Sequence, residues 1–409
     1  MKPITSIFFV LSAFIYTIQA QNLPSLLLDK NINSTFSITA YDEKTQEWGI
    51  AVATHNICVG NSTVYIEPGL GAFSVIAETY PAYAINGFQQ LQAGQSIKEA
   101  ILFTKEKDPQ AHYRQVAGID KDGNVFAFTG EALQYWVGKS THRLGDKYVV
   151  MGNQLDETVL EAMAQTYEQA TGTLAERLLQ SLIAGQEAGG QISGKQSAAL
   201  IVKGSDNAWY NQIDLRVDNS KQPFKDLQKL LDHHFGRIKV NQSRYALESG
   251  NMERAKNLLQ KAEILLDGWN GMYDRIAAMH AAMGNDDVAA DWVLKALDEN
   301  PNWKVKLPAF YFLREHKKLK DLINPDNFST KDWENAVHMF PKVERNPEAI
   351  KLAQKLLKET AYQSSYMYYL LGRSYSFAKE NEKAVLALQK AIAIDPKNVE
   401  AQLLLKKLR

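Results

Sequence analysis

The chain has 409 residues, 45% of them hydrophobic and 22% charged, which suits more than one buried core and excludes disordered, collagen-like and coiled-coil chains. Its 46 basic residues balance 46 acidic ones, so the electrostatic case for a dedicated nucleic-acid binder falls away. From Gly236 onward there are 28 basic and 22 acidic residues, against 18 and 24 before it, a mild asymmetry that fits two domains.

Met1-Lys2-Pro3 is a short positive start, Ile7 to Ile18 is a run of twelve mostly apolar residues, and Ala20 is a small residue suited to a cleavage site. This pattern predicts a signal peptide over 1–20. The alternative, an uncleaved anchor, needs about 20 apolar residues, and no later stretch is long and apolar enough to span a membrane. The expectation is an exported protein, periplasmic or secreted, with residues 21–34 as a leader, linker or propeptide.

From Thr35 the chain alternates short strand-like runs with turns. Thr35 to Tyr41 and Trp48 to Thr54 flank the polar turn 42–47, a hairpin signal. Gly69 to Ala77 reads as a third strand. Asn86 to Lys105 carries helical spacing, broken at Ala93-Gly94 and restarted at Ser96. Gln115 to Asp120 and Asn124 to Thr129 are joined through Lys121-Asp122-Gly123, where glycine tolerates the positive φ of a hairpin turn. Tyr148 to Gly152 is a strand, Glu157 to Gln169 and Thr173 to Glu187 are helices, and Ser197 to Val202 and Trp209 to Val217 close the set. This order predicts layered α and β segments and not simple βαβ alternation.

From about Pro223 the period is helical. Gly372, Tyr375, Ala384, Leu388, Ala391 and Pro396 have the spacing of one tetratricopeptide repeat. Ala255 and Ala262 recur as Ala289 and Ala296, each 34 residues later, and Pro301 stands where such a repeat ends. Ala289 and Ala384 are 95 apart, which is not a multiple of 34, so Asn302 to Thr360 is expected to be an irregular helical insert. Repeats of this kind expose a face for a protein or peptide partner. Tyr368, Tyr369 and Tyr375 are candidate anchors there, with core packing as the competing role, foremost for Tyr375.

Chemistry-bearing motifs are few. The lone cysteine, Cys58, excludes an intrachain disulfide and a cysteine-rich metal site; its apolar neighbours Ile57 and Val59 favour an inert thiol over a reactive one. His233-His234 has no ligand partner at metal spacing. No Gly-x-Ser-x-Gly, His-Glu-x-x-His or Walker-type loop occurs. No cofactor or metal is expected.

The blocks Thr35-Phe36-Ser37-Ile38-x-Ala40, Gly49 to Ala53, Val59-Gly60, Gly69-x-Gly71-Ala72, Gly152-Asn153, Gln196 to Leu200 and Asp214 to Asp218 resemble a bacterial and archaeal family of unknown function, DUF1028. The family is assigned to the N-terminal-nucleophile (Ntn) hydrolase fold. The resemblance covers about Thr35 to Leu231 and implies an α+β architecture, an Ntn-hydrolase-type αββα sandwich over 35–235, followed by an all-α tetratricopeptide-like repeat domain over 236–409.

In such hydrolases an amino-terminal Thr attacks a carbonyl with its hydroxyl, while its own α-amine, with an ordinary pKa of about 7.7 to 8.0, takes the proton. The resemblance puts Thr35 in that role, with Thr54, His55 and Asn56 as orienting groups and Thr54 standing where related hydrolases carry an acid. Asn153 is either an oxyanion donor or a turn-forming Asn. The loop Glu78-Thr79-Tyr80-Pro81 offers Glu78 and Tyr80 as substrate contacts, or is simply a strand-to-helix connection. Fourteen residues separate Ala20 from Thr35, so an exposed α-amine needs a second cut. Two functions follow: an exported amide hydrolase of a small molecule or peptide with a partner-binding repeat domain, or an inactive Ntn-type scaffold serving as an exported protein-binding module.

Overall fold

The structure is a computed structural model that describes residues 34–205 and 212–409. The signal peptide expected over 1–20, the leader up to residue 33 and the start of the strand expected from Trp209 lie outside the described residues. The chain divides after Gln228 into two compact units.

In the first unit, β1 (Thr35–Asp42) and β2 (Glu47–Thr54) form the expected hairpin, pairing Thr35 with Thr54. β3 (Val64–Glu67) and β4 (Gly71–Ala77) follow, then α1 (Ala82–Gln92) and α2 (Ile97–Lys105). Ser96 caps α2 in a reciprocal capping box with Glu99, which is why the helix restarts there. β5 (Arg114–Asp120) and β6 (Val125–Thr129) make the second hairpin, with Gly123 at φ +84° in its turn. Next come β7 (Lys139–Gly145), β8 (Tyr148–Leu155), α3 (Val159–Gln169), α4 (Leu174–Glu187), β9 (Ser197–Gly204) and β10 (Ile213–Val217).

Two antiparallel sheets result, ordered β10-β9-β2-β1-β8-β7 and β3-β4-β5-β6. Side chains alternate between the faces of a strand, and the alternation assigns each face. Trp48, Ile50 and Val52 of β2, with Val149 and Met151 of β8, meet Ala72 and Ile76 of β4 and Ala117 and Ile119 of β5 in one core between the sheets. On the far side of the smaller sheet, Phe73, Val75 and Val116 pack against Tyr83 and Ala84 of α1 and Ile97 and Ile101 of α2. On the far side of the larger one, Gly49 of β2 lies against Leu174 and Leu178 of α4. The unit is therefore the four-layer αββα sandwich that the resemblance implied. Strands β3 and β7 have no counterpart in the sequence reading; both lie at sheet edges.

A long helix, α5 (Pro223–Glu248), contains the division between units. Helices α6 (Met252–Leu265), α7 (Tyr273–Ala282) and α8 (Asp286–Glu299) follow, with Ala255, Ala262, Ala289 and Ala296 all fully buried. The insert is irregular as expected: a 3₁₀ run over Pro301–Leu313 contains Pro308 and a kink at Phe310, before α9 (Thr330–Met339) and α10 (Asn346–Leu356). The last repeat pairs α11 (Ser365–Phe377) with α12 (Asn381–Ile394), and α13 (Val399–Leu408) ends the chain. A Cβ on Gly372 would stand 2.8 Å from Leu388 Cγ, so only glycine permits this closeness of the two helices. No helix among the described residues is long and apolar enough to cross a membrane.

Candidate functional site

Period-two alternation brings four polar side chains into the space between the sheets, at one end of the sandwich. Thr35 starts β1, and its register partners are Thr54 on β2 and Asn153 on β8. Thr54 continues the inward face of Trp48, Ile50 and Val52; Asn153 continues that of Val149 and Met151. From the opposite sheet, Gln115 shares the inward face of Ala117 and Ile119 on β5.

The four groups form one hydrogen-bonded cluster. Thr35 N donates to Asn153 Oδ1 at 3.1 Å. Thr54 Oγ1 donates to Ser34 O at 2.8 Å, so the Thr35 hydroxyl, 2.9 Å from Thr54 Oγ1, is the donor in that pair. Asn153 Nδ2 donates to Gln115 Oε1 at 3.1 Å. Gln115 Nε2 in turn lies 2.9 Å from Gly152 O, 2.9 Å from Thr141 O and 3.0 Å from Thr129 Oγ1. Thr129 Oγ1 is 2.9 Å from His142 Nδ1, and burial pushes the His142 pKa down, which favours the neutral ring that can accept from the Thr129 hydroxyl. Gln115 and Asn153 are fully buried, and Thr35 is nearly so.

The expected site residues do not all converge. Thr35, Thr54 and Asn153 are together. The amide of Asn153, read in the sequence as an oxyanion donor or a turn former, gives its oxygen to Thr35 N and a hydrogen to Gln115, and its residue sits inside a strand. This geometry orients the Thr35 nitrogen. His55 touches the cluster through its backbone, whose N–H lies 3.3 Å from Ser34 O, while its ring nitrogen Nδ1 is buried without a partner among the described residues. Asn56 is an exposed turn residue whose Oδ1 accepts from Ile57 N at 2.7 Å. Glu78 and Tyr80 form a separate group around Arg114. Its Nη1 donates to Glu78 O at 2.9 Å and lies 3.7 Å from the Glu78 carboxylate, and its guanidinium lies 5.3 Å from the Tyr80 ring. Burial raises the Glu78 pKa against the opposing pull of Arg114. Arg114 and Gln115 are neighbours on β5 and so face opposite sides of the sheet.

Gln115, Ser34 and Ser193 were not anticipated. The one signal for Gln115 was a long polar residue at an inward position of an otherwise apolar strand. Ser34 is fully buried and its Oγ lies 2.6 Å from Ser193 Oγ. In the helical unit, Tyr375 is buried and its hydroxyl accepts from Gln354 Nε2 at 2.6 Å, so it packs in the core. Tyr368 and Tyr369 are half-buried. His233 Nε2 lies 3.2 Å from Asp267 O, and the ring stacks on Trp269.

A model of the family of unknown function DUF1028 matches residues 35–227, and a solved DUF1028 protein from Silicibacter pomeroyi is 30% identical over 48% of this chain and 84% of that one, with a TM-score of 0.45. The chain belongs to the DUF1028 family. A tetratricopeptide-repeat model matches residues 365–398. Among solved helical proteins, a tetratricopeptide repeat protein from Parabacteroides merdae is 15% identical, covering 62% of this chain and 99% of its own, with a TM-score of 0.23. MamA from Desulfovibrio magneticus RS-1 is 19% identical, covering 42% of this chain and 82% of its own, with a TM-score of 0.20. No protein of curated function matches. The chain thus couples a DUF1028 domain to tetratricopeptide repeats, an arrangement that suggests binding of protein partners through the repeats.

Proposed function

We propose that this DUF1028 protein is an exported amide hydrolase of the N-terminal-nucleophile type, with Thr35 as nucleophile and base once the Ser34–Thr35 bond is cut, and with a helical unit that binds a protein partner. Export rests on Lys2, the apolar run Ile7 to Ile18 and Ala20. The observation that carries the chemistry is that buried side chains hold both functional atoms of one residue: Thr35 N by Asn153 Oδ1 and Thr35 Oγ1 by Thr54. A freed α-amine at that position keeps the Asn153 contact and has its lone pair available as the base. Thr35 Oγ1 then attacks the amide carbonyl carbon. Its proton passes to the amine and on to the departing nitrogen, and water cleaves the ester left on Thr35. Asn153 and Gln115 act by position.

A specific observation favours the second reading, an inactive scaffold in a binding module. Ser34 O accepts from the Thr54 hydroxyl and its Oγ meets Ser193, so the residue that must leave is itself bonded into the sheet end. Amino-terminal sequencing of the native protein separates the two. A start at Thr35, together with loss of amide turnover in Thr35→Ala and retention of its fold, supports the hydrolase. A native chain that retains Ser34 ahead of Thr35 refutes it and leaves the binding module.

A further inference from the structure

The helical unit contains an open cleft of about 1180 Å³ where the irregular insert folds back beside α8. Its walls are apolar: Leu294, Leu297, Val305, Leu322 and Phe328 line it. Val305 is 72% exposed and Leu322 46%, so two branched aliphatic side chains face water at a site with neighbouring apolar walls, the pattern of a recognition surface more than of scattered exposure. The volume exceeds the roughly 300–1,000 Å³ of ordinary small-ligand pockets, which favours a chain segment as occupant.

Charge selects the kind of segment. Asp298 and Asp321 line the cleft, and neither carboxylate has an ion-pair or hydrogen-bond partner among the described residues. Asp332 adds a third negative charge, although its Oδ2 is engaged by Ser329 at the start of α9. Lys304 is the one cation among the lining residues, leaving the cleft net negative by two. Asn327 also lines it, with a side-chain amide that has no partner among the described residues and can both donate to and accept from a peptide bond.

We propose that this cleft binds an extended peptide segment of a partner protein, with apolar side chains seated between Leu297, Val305, Leu322 and Phe328 and a lysine or arginine paired with Asp298 and Asp321. The cleft lies between α8 and the insert, and no residue of the repeat pair α11–α12 lines it, so this goes beyond the binding role given to that pair, and it is independent of the Thr35 chemistry.

The test is fluorescence anisotropy on the full chain with two labelled octapeptides of leucine and serine, one carrying two lysines and the other two glutamates in their place. Saturable binding of the lysine peptide, at least several-fold tighter than the glutamate peptide, is the expected result. Asp298→Asn with Asp321→Asn should weaken it by roughly two- to thirtyfold at low salt, the range of two exposed charge pairs, with a smaller effect at high salt. Leu322→Ser, at an exposed position, should weaken both peptides while leaving the thermal transition unchanged. Absence of binding, equal binding of the two peptides, or indifference to both sets of substitutions overturns the proposal. So does a concentration-dependent dimer that Leu322→Ser dissociates, which would assign the cleft to a second copy of the chain. None of these outcomes alters the Thr35→Ala result, so the two readings fail separately.

Discussion

Replacing Gln115 by leucine tests whether the buried amide pair, and not the strand backbone alone, organises the end of the sandwich. The side chain of Gln115 is fully buried and joins the two sheets, accepting from Asn153 Nδ2 and donating toward Gly152 O, Thr141 O and Thr129 Oγ1. Leucine nearly matches its volume, so cavity terms are small and the polar terms decide. Asn153 Nδ2 loses its acceptor Gln115 Oε1 inside the core, a penalty of about 1–3 kcal/mol, and each further lost bond adds about 0.5–1.5 kcal/mol before the gain from burying an apolar side chain. A net loss of about 2–4 kcal/mol follows, roughly thirty- to several-hundredfold in the opening equilibrium. Hydrogen exchange of peptides spanning β1 and β8 in the full chain reads it locally, and protection within about threefold of wild type would refute the reasoning. Gln115→Glu adds a sign. A buried carboxylate facing carbonyl oxygens has its folded-state pKa raised above the unfolded value of about 4.3. The folded state then holds the extra proton, so stability is highest below pH of about 4 and falls as pH rises through the folded pKa. Relative to wild type, the glutamate variant should be least protected at neutral pH and partly restored in acid; the reverse order would also refute the account.

Gly87 on α1 has no room for a side chain, since a Cβ there would stand 2.5 Å from Cζ of the fully buried Phe73 ring. Gly87→Ala should therefore destabilise by about 1–3 kcal/mol through overpacking, despite the better helix propensity of alanine, read as a lowered thermal midpoint of the first unit. His338 is held neutral, its pKa lowered to about 3 by burial and then by Arg373, Lys342 and Lys331. NMR should show no imidazole titration between pH 5 and 8. Because the unfolded chain takes up the proton first, this histidine's contribution to stability is present above about pH 6.5 and is lost as pH falls toward 3, and a titration midpoint near 6.5 in the folded protein would contradict the burial argument.

The parts of the fold legible in the sequence are those whose neighbours are close along the chain. The hairpin of β1 and β2 is announced by two β-rich runs around a polar turn, and α2 by Ser96 with Glu99 three residues on. The tetratricopeptide pair shows in the spacing of Gly372, Ala384, Leu388 and Ala391, because close helix approach demands small residues at fixed intervals. β7 was not legible for a physical reason. Lys139 to Gly145 pairs on one side only, with β8, and its residues are only partly covered, so no face of it must be apolar. β3 is likewise a four-residue edge strand, too short to display a period.

The candidate site was legible at Thr35 and Asn153 only because those positions match blocks of a family pattern, and at Thr54 only because that pattern places an orienting group at the end of the returning strand. Period and propensity alone would have made them ordinary strand ends. Gln115 escaped because its partners on the other sheet, Thr141, Gly152 and Asn153, are 26 to 38 residues away in sequence and meet it only when the two sheets close face to face. The same closure explains why the cluster is polar at all. A sandwich that needed only stability would fill this end with residues like Ala117 and Ile119, which lie on the same face of β5. Here Thr35, Thr54, Asn153 and Gln115 occupy it instead, each hydrogen-bonded to at least one of the others. A buried polar network of this kind costs stability unless every member is partnered, and in this one the bonds converge on the backbone nitrogen and hydroxyl of a single threonine. Whether that convergence orients a peptide or an exposed amine depends on one bond, Ser34–Thr35, and the contacts of Asn153 and Thr54 with Thr35 are compatible with both states.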